Sequence, residues 1–515
     1  MNTKKDTKKT RTENTVRNIV AGVINKILVL LLPFLVRTVL IQRLGADYVG
    51  ISSLYSSILQ VLNVTELGFS SAIIYSMYEP VAKNDIPEIK SKIRLFYTIY
   101  KLVGTIILIG GIIALPFLPK LIDGEAPSDV NIYLAFIIFL ANTVISYFTY
   151  GYKNSVLTVY QRDDLISKTN SFITIVKCLI QILVLILFRN FYVYAVIIPV
   201  TTLLGNLILN HLSNRLHPEL NDKYKFSLSG LKGIRKQIGG IAIGRISLVC
   251  RNSFDSIILS SLFGLNLTAI YSNYYFVFSS IGGFMSILIT SMSASVGNSL
   301  VTESVEKNER DHRKFDFYYE AITGFCVMCL YSLYQSFMNV WVGESLMLPR
   351  ISMILFCVYF YVNHLAQIRS VYSEAAGLWW HFRFLSILEM VANLILNFLL
   401  GNLMGIDGIL IATIITAFLC SFLGCTIITY KELFKQSSIK YFGSNVLYFL
   451  VTIGGCLIVD AVSQRIYVSG WISLIIKGIV CAGIAIVYLG LIYCLIKPTR
   501  NELKALLYRV RNRVI

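Results

Sequence analysis

Lys26 and Arg37 stand inside an apolar stretch, Asn18 to Ile41, at places where a plain membrane anchor carries leucine. Eleven residues apart, close to three helical turns, the two cations fall on one helix face with Pro33 between them. A cation at mid-bilayer costs roughly 2.5 to 3.5 kcal/mol, so such a face meets water, protein or a ligand in place of lipid. In the next apolar stretch Ser52, Ser56, Gln60, Asn63 and Ser70 recur at spacings of four, four, three and seven, a polar stripe at helical period. Together the two stretches read as one wall of a hydrated, positively charged cavity, chemistry suited to holding an anion.

Further along the chain Arg251 and Asp255 lie four apart on one helix and can pair, with Arg245 nearer the cytoplasmic end. Ser272, Ser279, Gly283, Ser286, Thr290 and Ser293 share a face of the following helix. Small residues also let membrane helices approach closely, so packing and cavity lining both fit that stripe, whereas the larger Gln60 and Asn63 favour a cavity. Glu389, Asn393 and Asn397 stack at four-residue spacing, and Thr413 follows on the next helix. Acid, amide and hydroxyl oxygens in such a group can replace the water of a small hard cation such as sodium, or simply bond one helix to another. Asn363, Gln367, Ser370 and Glu374 form another stripe flanked by His364 and Arg369; His364 fits a proton-coupled step or a locally satisfied ring. Cys326 and Cys329 share a helix face, but no further Cys or His grouping makes a metal or redox site of them.

The elements that must position these groups are membrane helices. The chain has 515 residues, of which 56% are hydrophobic and only 14% charged, with mean hydropathy +0.68, which excludes a set of soluble domains. The reading is an all-α integral membrane protein of 14 transmembrane helices. Six form a lobe over residues 18–213, a basic linker follows at 214–235, six more form a lobe over 236–430, and a last pair lies within 441–496. Basic termini, 1–17 and 497–515, flank them. The first seventeen residues lead into an apolar run with no small-residue cleavage site after it, so the start reads as a retained anchor. Lys and Arg concentrate in the N-terminus, the even-numbered loops, the linker and the C-terminus, which places both termini in the cytoplasm. The net charge of +18 is therefore a topology signal and not a nucleic-acid footprint. With no GxxxxGK[ST] phosphate loop, the energy source is an ion gradient, the membrane potential or substrate flux.

An internal repeat underlies the two lobes. Leu44 to Tyr55 recurs as Phe263 to Tyr274, and both copies enter from the same side, which makes the lobes parallel repeats about an axis along the membrane normal. Fourteen helices in this arrangement, the Leu44, Gly45, Tyr48, Gly50 turn and the Leu67 to Ala72 segment resemble the multidrug/oligosaccharidyl-lipid/polysaccharide exporter superfamily. Within it the chain most resembles the polysaccharide branch, flippases for undecaprenyl-pyrophosphate-linked oligosaccharide units of capsule, O-antigen or teichoic-acid type.

That resemblance implies alternating access without covalent chemistry and a pyrophosphate held by first-lobe cations, here Lys26 and Arg37. Gln60, Asn63, Arg245, Arg251 and Ser279 complete the expected substrate cavity, and Tyr55, Tyr271, Tyr274 and Tyr275 either stack on sugars or pack. It also implies a sodium site at Asp255, Asn393, Asn397 and Thr413, with Asn397 where a second acid is expected, so that Na+ or H+ is the coupling ion and no other cofactor is needed. Polymerases and glycosyltransferases are the implied partners, and the last helix pair is implied to line a groove for the lipid tail. The competing readings are an ion-coupled multidrug antiporter, which needs an acidic cleft where this first lobe offers Glu66 as its one deep acid, and a membrane-embedded glycosyltransferase or polymerase.

Overall fold

The computed structural model describes residues 11–63, 69–220 and 235–495. Glu66, Leu67, Gly68, most of the linker and the C-terminal basic segment lie outside them. The described residues are helical, with no strand among them. The helices are α1 (Arg11–Arg43), α2 (Ala46–Leu62), α3 (Phe69–Lys83), α4 (Ile86–Ala114), α5 (Ile132–Phe148), α6 (Asn154–Val159), α7 (Asp163–Leu187), α8 (Phe191–Leu216) and α9 (Arg235–Thr302). They continue as α10 (Val305–Val342), α11 (Arg350–Leu365), α12 (Gln367–Ala375), α13 (Arg383–Met404), α14 (Ile406–Thr416), α15 (Cys425–Thr429), α16 (Ile439–Ser463) and α17 (Trp471–Leu495). Large apolar side chains face outward along them, as on Leu183, Leu403 and Ile479, the pattern of a rod solvated by lipid. The chain is a multi-pass membrane protein.

Eleven helices among the described residues are long and apolar enough to span, or twelve if α5 and the bent segment after it count as one, and not the fourteen expected. The difference lies at three places. The second expected span is two helices, α2 and α3, on either side of undescribed residues. The fourth bends by 49° beyond Phe148. The seventh and eighth run together as α9, whose 61-residue apolar part far exceeds one crossing of a hydrocarbon core about 30 Å thick.

The chain forms two compact units, Met1–Ala269 and Ile270–Ile515. In the first, α1 packs along α7 and touches α2, while α4, α5 and α8 surround a core of Leu54, Tyr55, Ile107, Phe136 and Leu140. The repeated turn explains how α2 and the second half of α9 begin. Gly45 has φ 121° and ψ 173°, and its repeat partner Gly264 has φ 77° and ψ −176°, backbone that only glycine adopts without strain. The copies also meet each other. A Cβ on Gly50 would lie 2.2 Å from the carbonyl oxygen of Leu265, and Ala269, the repeat partner of Gly50, is fully buried against Val36, Leu40 and Val49.

In the second unit α10 is the central rod, packed by α11, α12, α16 and α17, and α13 lies against α14, which touches α11. Between α14 and α15 the helix widens into a π-helical stretch, Ala417–Gly424. Lys477 of α17, buried, donates to Ser336 Oγ of α10 at 3.0 Å, which fixes the last helix to the core without exposing its cation to lipid.

Candidate functional site

The face of α1 that carries Lys26 and Arg37 is turned away from its most exposed leucines. Leu31 and Leu35 are 58% and 50% exposed, and at 100° per residue they lie roughly 120° to 160° round the helix from Arg37. Both cations are half-buried. Arg37 sits beside the buried Val36 and one turn from buried Leu40, within electrostatic reach of the Tyr194 hydroxyl of α8. Next to Lys26, Asn25 accepts a hydrogen bond from Ser171 Oγ of α7 at 3.2 Å. The α1 to α7 contact thus sets the rotation of the helix, and the rotation sets where the cations point.

The stripe on α2 is only partly available to a ligand. Ser52 Oγ donates to the Tyr48 carbonyl of its own helix. Gln60 is exposed, and its Oε1 accepts from the fully buried Ser253 of α9 at 3.2 Å. Asn63 Oδ1 accepts from the Tyr147 hydroxyl of α5. Both amides are thus engaged through their oxygens. On α9, Arg245 is exposed, whereas Arg251 and Asp255 are buried on one face one turn apart.

In the second unit the serine stripe is folded onto its own helix. Ser279 Oγ donates to the Phe276 carbonyl at 3.1 Å, and Ser286, Thr290 and Ser293 bond back in the same way, which commits each hydroxyl proton and leaves the oxygen to act as an acceptor. Asn393, Asn397 and Thr413 are brought together at zero exposure. Asn393 Nδ2 donates to Thr413 Oγ1 at 3.1 Å and Thr416 Oγ1 at 3.4 Å, and Asn397 Nδ2 donates to Asn393 Oδ1 at 3.2 Å. Glu389, on the same face, accepts from Ser421 Oγ at 2.8 Å. His364 is a core residue: its Nδ1 faces the Phe360 carbonyl at 2.8 Å and its ring stacks on Phe360.

Of the two readings of the tyrosines, packing holds for Tyr55, Tyr271 and Tyr274. Tyr55 and Tyr274, partners in the repeat, are both fully buried. Each ring packs on phenylalanine or tyrosine, and each hydroxyl is engaged, by the Ile132 carbonyl and by Gln335 Oε1. Tyr271 is buried as well, so these three have no free ring face for a sugar.

The sequence reading passed over Asp316 and Glu320 of α10, buried and one turn apart. Asp316 closes the charged run Glu306 to Asp316, which reads as a loop, and its neighbour Phe317 was the expected start of the span. The signal available was the spacing of His312, Asp316 and Glu320, four and four.

No family model and no curated relative matches the sequence. Solved structures do. The lipid II flippase MurJ in an inward closed conformation matches with a TM-score of 0.62 at 13% identity, over 94% of this chain and 99% of that one. The likeness is one of fold. A Vibrio cholerae MATE transporter gives 0.55 at 13% identity over 82% of this chain and 99% of its own, and a MOP superfamily transporter from Pyrococcus furiosus 0.54 at 14% over 82% and 97%. The chain therefore has the fold of MOP superfamily transporters.

Proposed function

We propose that the chain is a flippase that carries polyprenyl-pyrophosphate-linked oligosaccharide across the cytoplasmic membrane, by alternating access and without covalent chemistry. The observation that carries this reading is the placement of Lys26 and Arg37, two half-buried cations on the side of α1 away from its lipid-exposed leucines. The likeness to a lipid II flippase over more of this chain than the MATE likeness takes in supports a lipid-linked substrate over a soluble drug. The physics supports it too. Each sugar hydroxyl costs several kcal/mol when stripped of water in hydrocarbon, so the headgroup needs a hydrated passage while its tail stays in lipid. In a low-dielectric surround fixed cations attract a pyrophosphate far more strongly than they do in bulk water.

Both termini are cytoplasmic in this proposal, and the second lobe supplies a coupling cation. Sugar transferases and a polymerase act before and after the flipping step. The test is Arg37→Glu in proteoliposomes with a labelled lipid-linked oligosaccharide. Loss of one charge-assisted contact worth about 1.5 to 3 kcal/mol lowers flipping by about tenfold or more. Unchanged flipping would show that the cation face does not hold the substrate, and altered sugar connectivity in the product would show an enzyme.

A further inference from the structure

The second unit hides a set of acids that this reading does not use. His312, Asp316 and Glu320 follow each other along α10 at 0%, 2% and 1% exposure. Asp316 accepts from the Tyr441 hydroxyl at 3.0 Å and from Asn445 Nδ2 at 3.4 Å, both on α16. Tyr441 also reaches the Leu365 carbonyl at 3.3 Å, and a single phenol proton serves only one of the two well at a time. Glu320, one turn further into the span, has the Tyr361 hydroxyl of α11 as its polar neighbour. Asn445 Oδ1, buried beside them, has no hydrogen-bond partner among the described residues.

The groups that face the acids come from every helix packed on α10. Tyr361 of α11 and Tyr493 of α17 stand within electrostatic reach of Glu320, as does Tyr319 of α10 itself. The Tyr430 hydroxyl lies 3.3 Å from His312 Nδ1, and Tyr372 of α12 packs edge-on against that ring. Two nearby cations are engaged elsewhere, Arg313 with Glu309, and Arg369 of α12 with the Ser421 carbonyl at 3.0 Å, while Arg310 and Lys314 line the cavity beside Asp316. An ionised carboxylate in such a place is uphill by several kcal/mol, so the group holds a proton or a cation. A cavity of about 520 Å³, lined by Glu306, Arg310, Lys314, Gln436 and Tyr441, reaches Asp316 from the polar ends of α10 and α16.

We propose that Glu320 is a proton-binding site that loads and unloads through Asp316 from this cavity. A proton from cavity water adds to the Asp316 carboxylate and passes to the Glu320 carboxylate, and discharge retraces the path. The site rests on the burial and the cavity alone and stands whatever the transported substrate is.

The first test uses the wild-type protein, so it does not depend on a variant folding. In nanodiscs, a hydrophobic carbodiimide modifies protonated carboxyls in apolar surroundings, and peptide mass spectrometry locates the adduct. The expected result is an adduct on Glu320 whose yield falls by about tenfold per pH unit above the site's titration point. Infrared pH-difference spectra of Glu320→Gln then lack one protonated-carboxyl band that the wild type has. Absence of a Glu320 adduct at every pH overturns the proposal. Protection by sodium at constant pH also overturns it, since the seat would then hold a metal cation in place of a proton.

Discussion

Asn393 separates a sodium seat from a plain interhelical bond. Its amide donates to Thr413 and Thr416 across the α13 to α14 contact, and its oxygen already accepts from Asn397. In Asn393→Ala those bonds go and the Asn397 amide loses its acceptor. Interhelical hydrogen bonds in membranes average about 0.6 kcal/mol and reach about 1.7, so the variant should lose about 1 to 2 kcal/mol, read as a lower Tm in detergent. The sodium arm is explicit: if Na+ raises the Tm of the wild type but not of Asn393→Ala, Asn393 holds the ion. The polar trio was legible in the sequence because amides in an apolar run must find partners, and four-residue spacing puts them on one face. Asp316 and Glu320 were not legible, because a charged run that ends in a buried acid looks the same as one that ends at the membrane surface. Tyr55 left two readings open, since a tyrosine at a helix interface serves packing as well as it serves a sugar, and its burial decides for packing.

At the scale of elements, the repeated glycine turn makes a sharper prediction than any helix does. Gly264 needs a positive φ, and a Cβ there would lie 2.6 Å from the Asp123 carbonyl oxygen, in the loop whose amide donates to the Ser260 carbonyl at 2.8 Å. Gly45 needs the same kind of backbone, but a Cβ there meets nothing within 4 Å. Gly45→Ala should therefore cost about 1 to 3 kcal/mol from backbone strain alone, and Gly264→Ala more. Thermal unfolding followed by fluorescence-detected size exclusion gives the order of the two Tm values, and an equal loss would mean that the Asp123 loop yields freely. The repeat was readable because a turn between two apolar runs needs glycine at a fixed offset. The number of spans was not, because hydropathy alone shows neither the break between α2 and α3 nor the bend beyond Phe148.

For the molecule as a whole, the proposed orientation turns charge into direction. With both termini in the cytoplasm and Lys26 and Arg37 fixed to α1, the pyrophosphate would cross with its negative charge uncompensated by any mobile protein group. Moving one such charge outward, with an inside-negative potential driving it, gains about 2.3 kcal/mol per 100 mV, or about fiftyfold in the equilibrium between leaflets. Proteoliposomes with a valinomycin-mediated potassium diffusion potential should therefore accumulate labelled lipid-linked oligosaccharide in the outer leaflet when the side bearing the termini is negative, and lose that bias when equal potassium on both sides abolishes the potential. A proton gradient imposed at zero potential isolates the other drive, and Glu320→Gln should abolish only the response to that gradient. A flippase that ignores the potential must move a compensating cation with each substrate, and the sodium and proton arms then show which one.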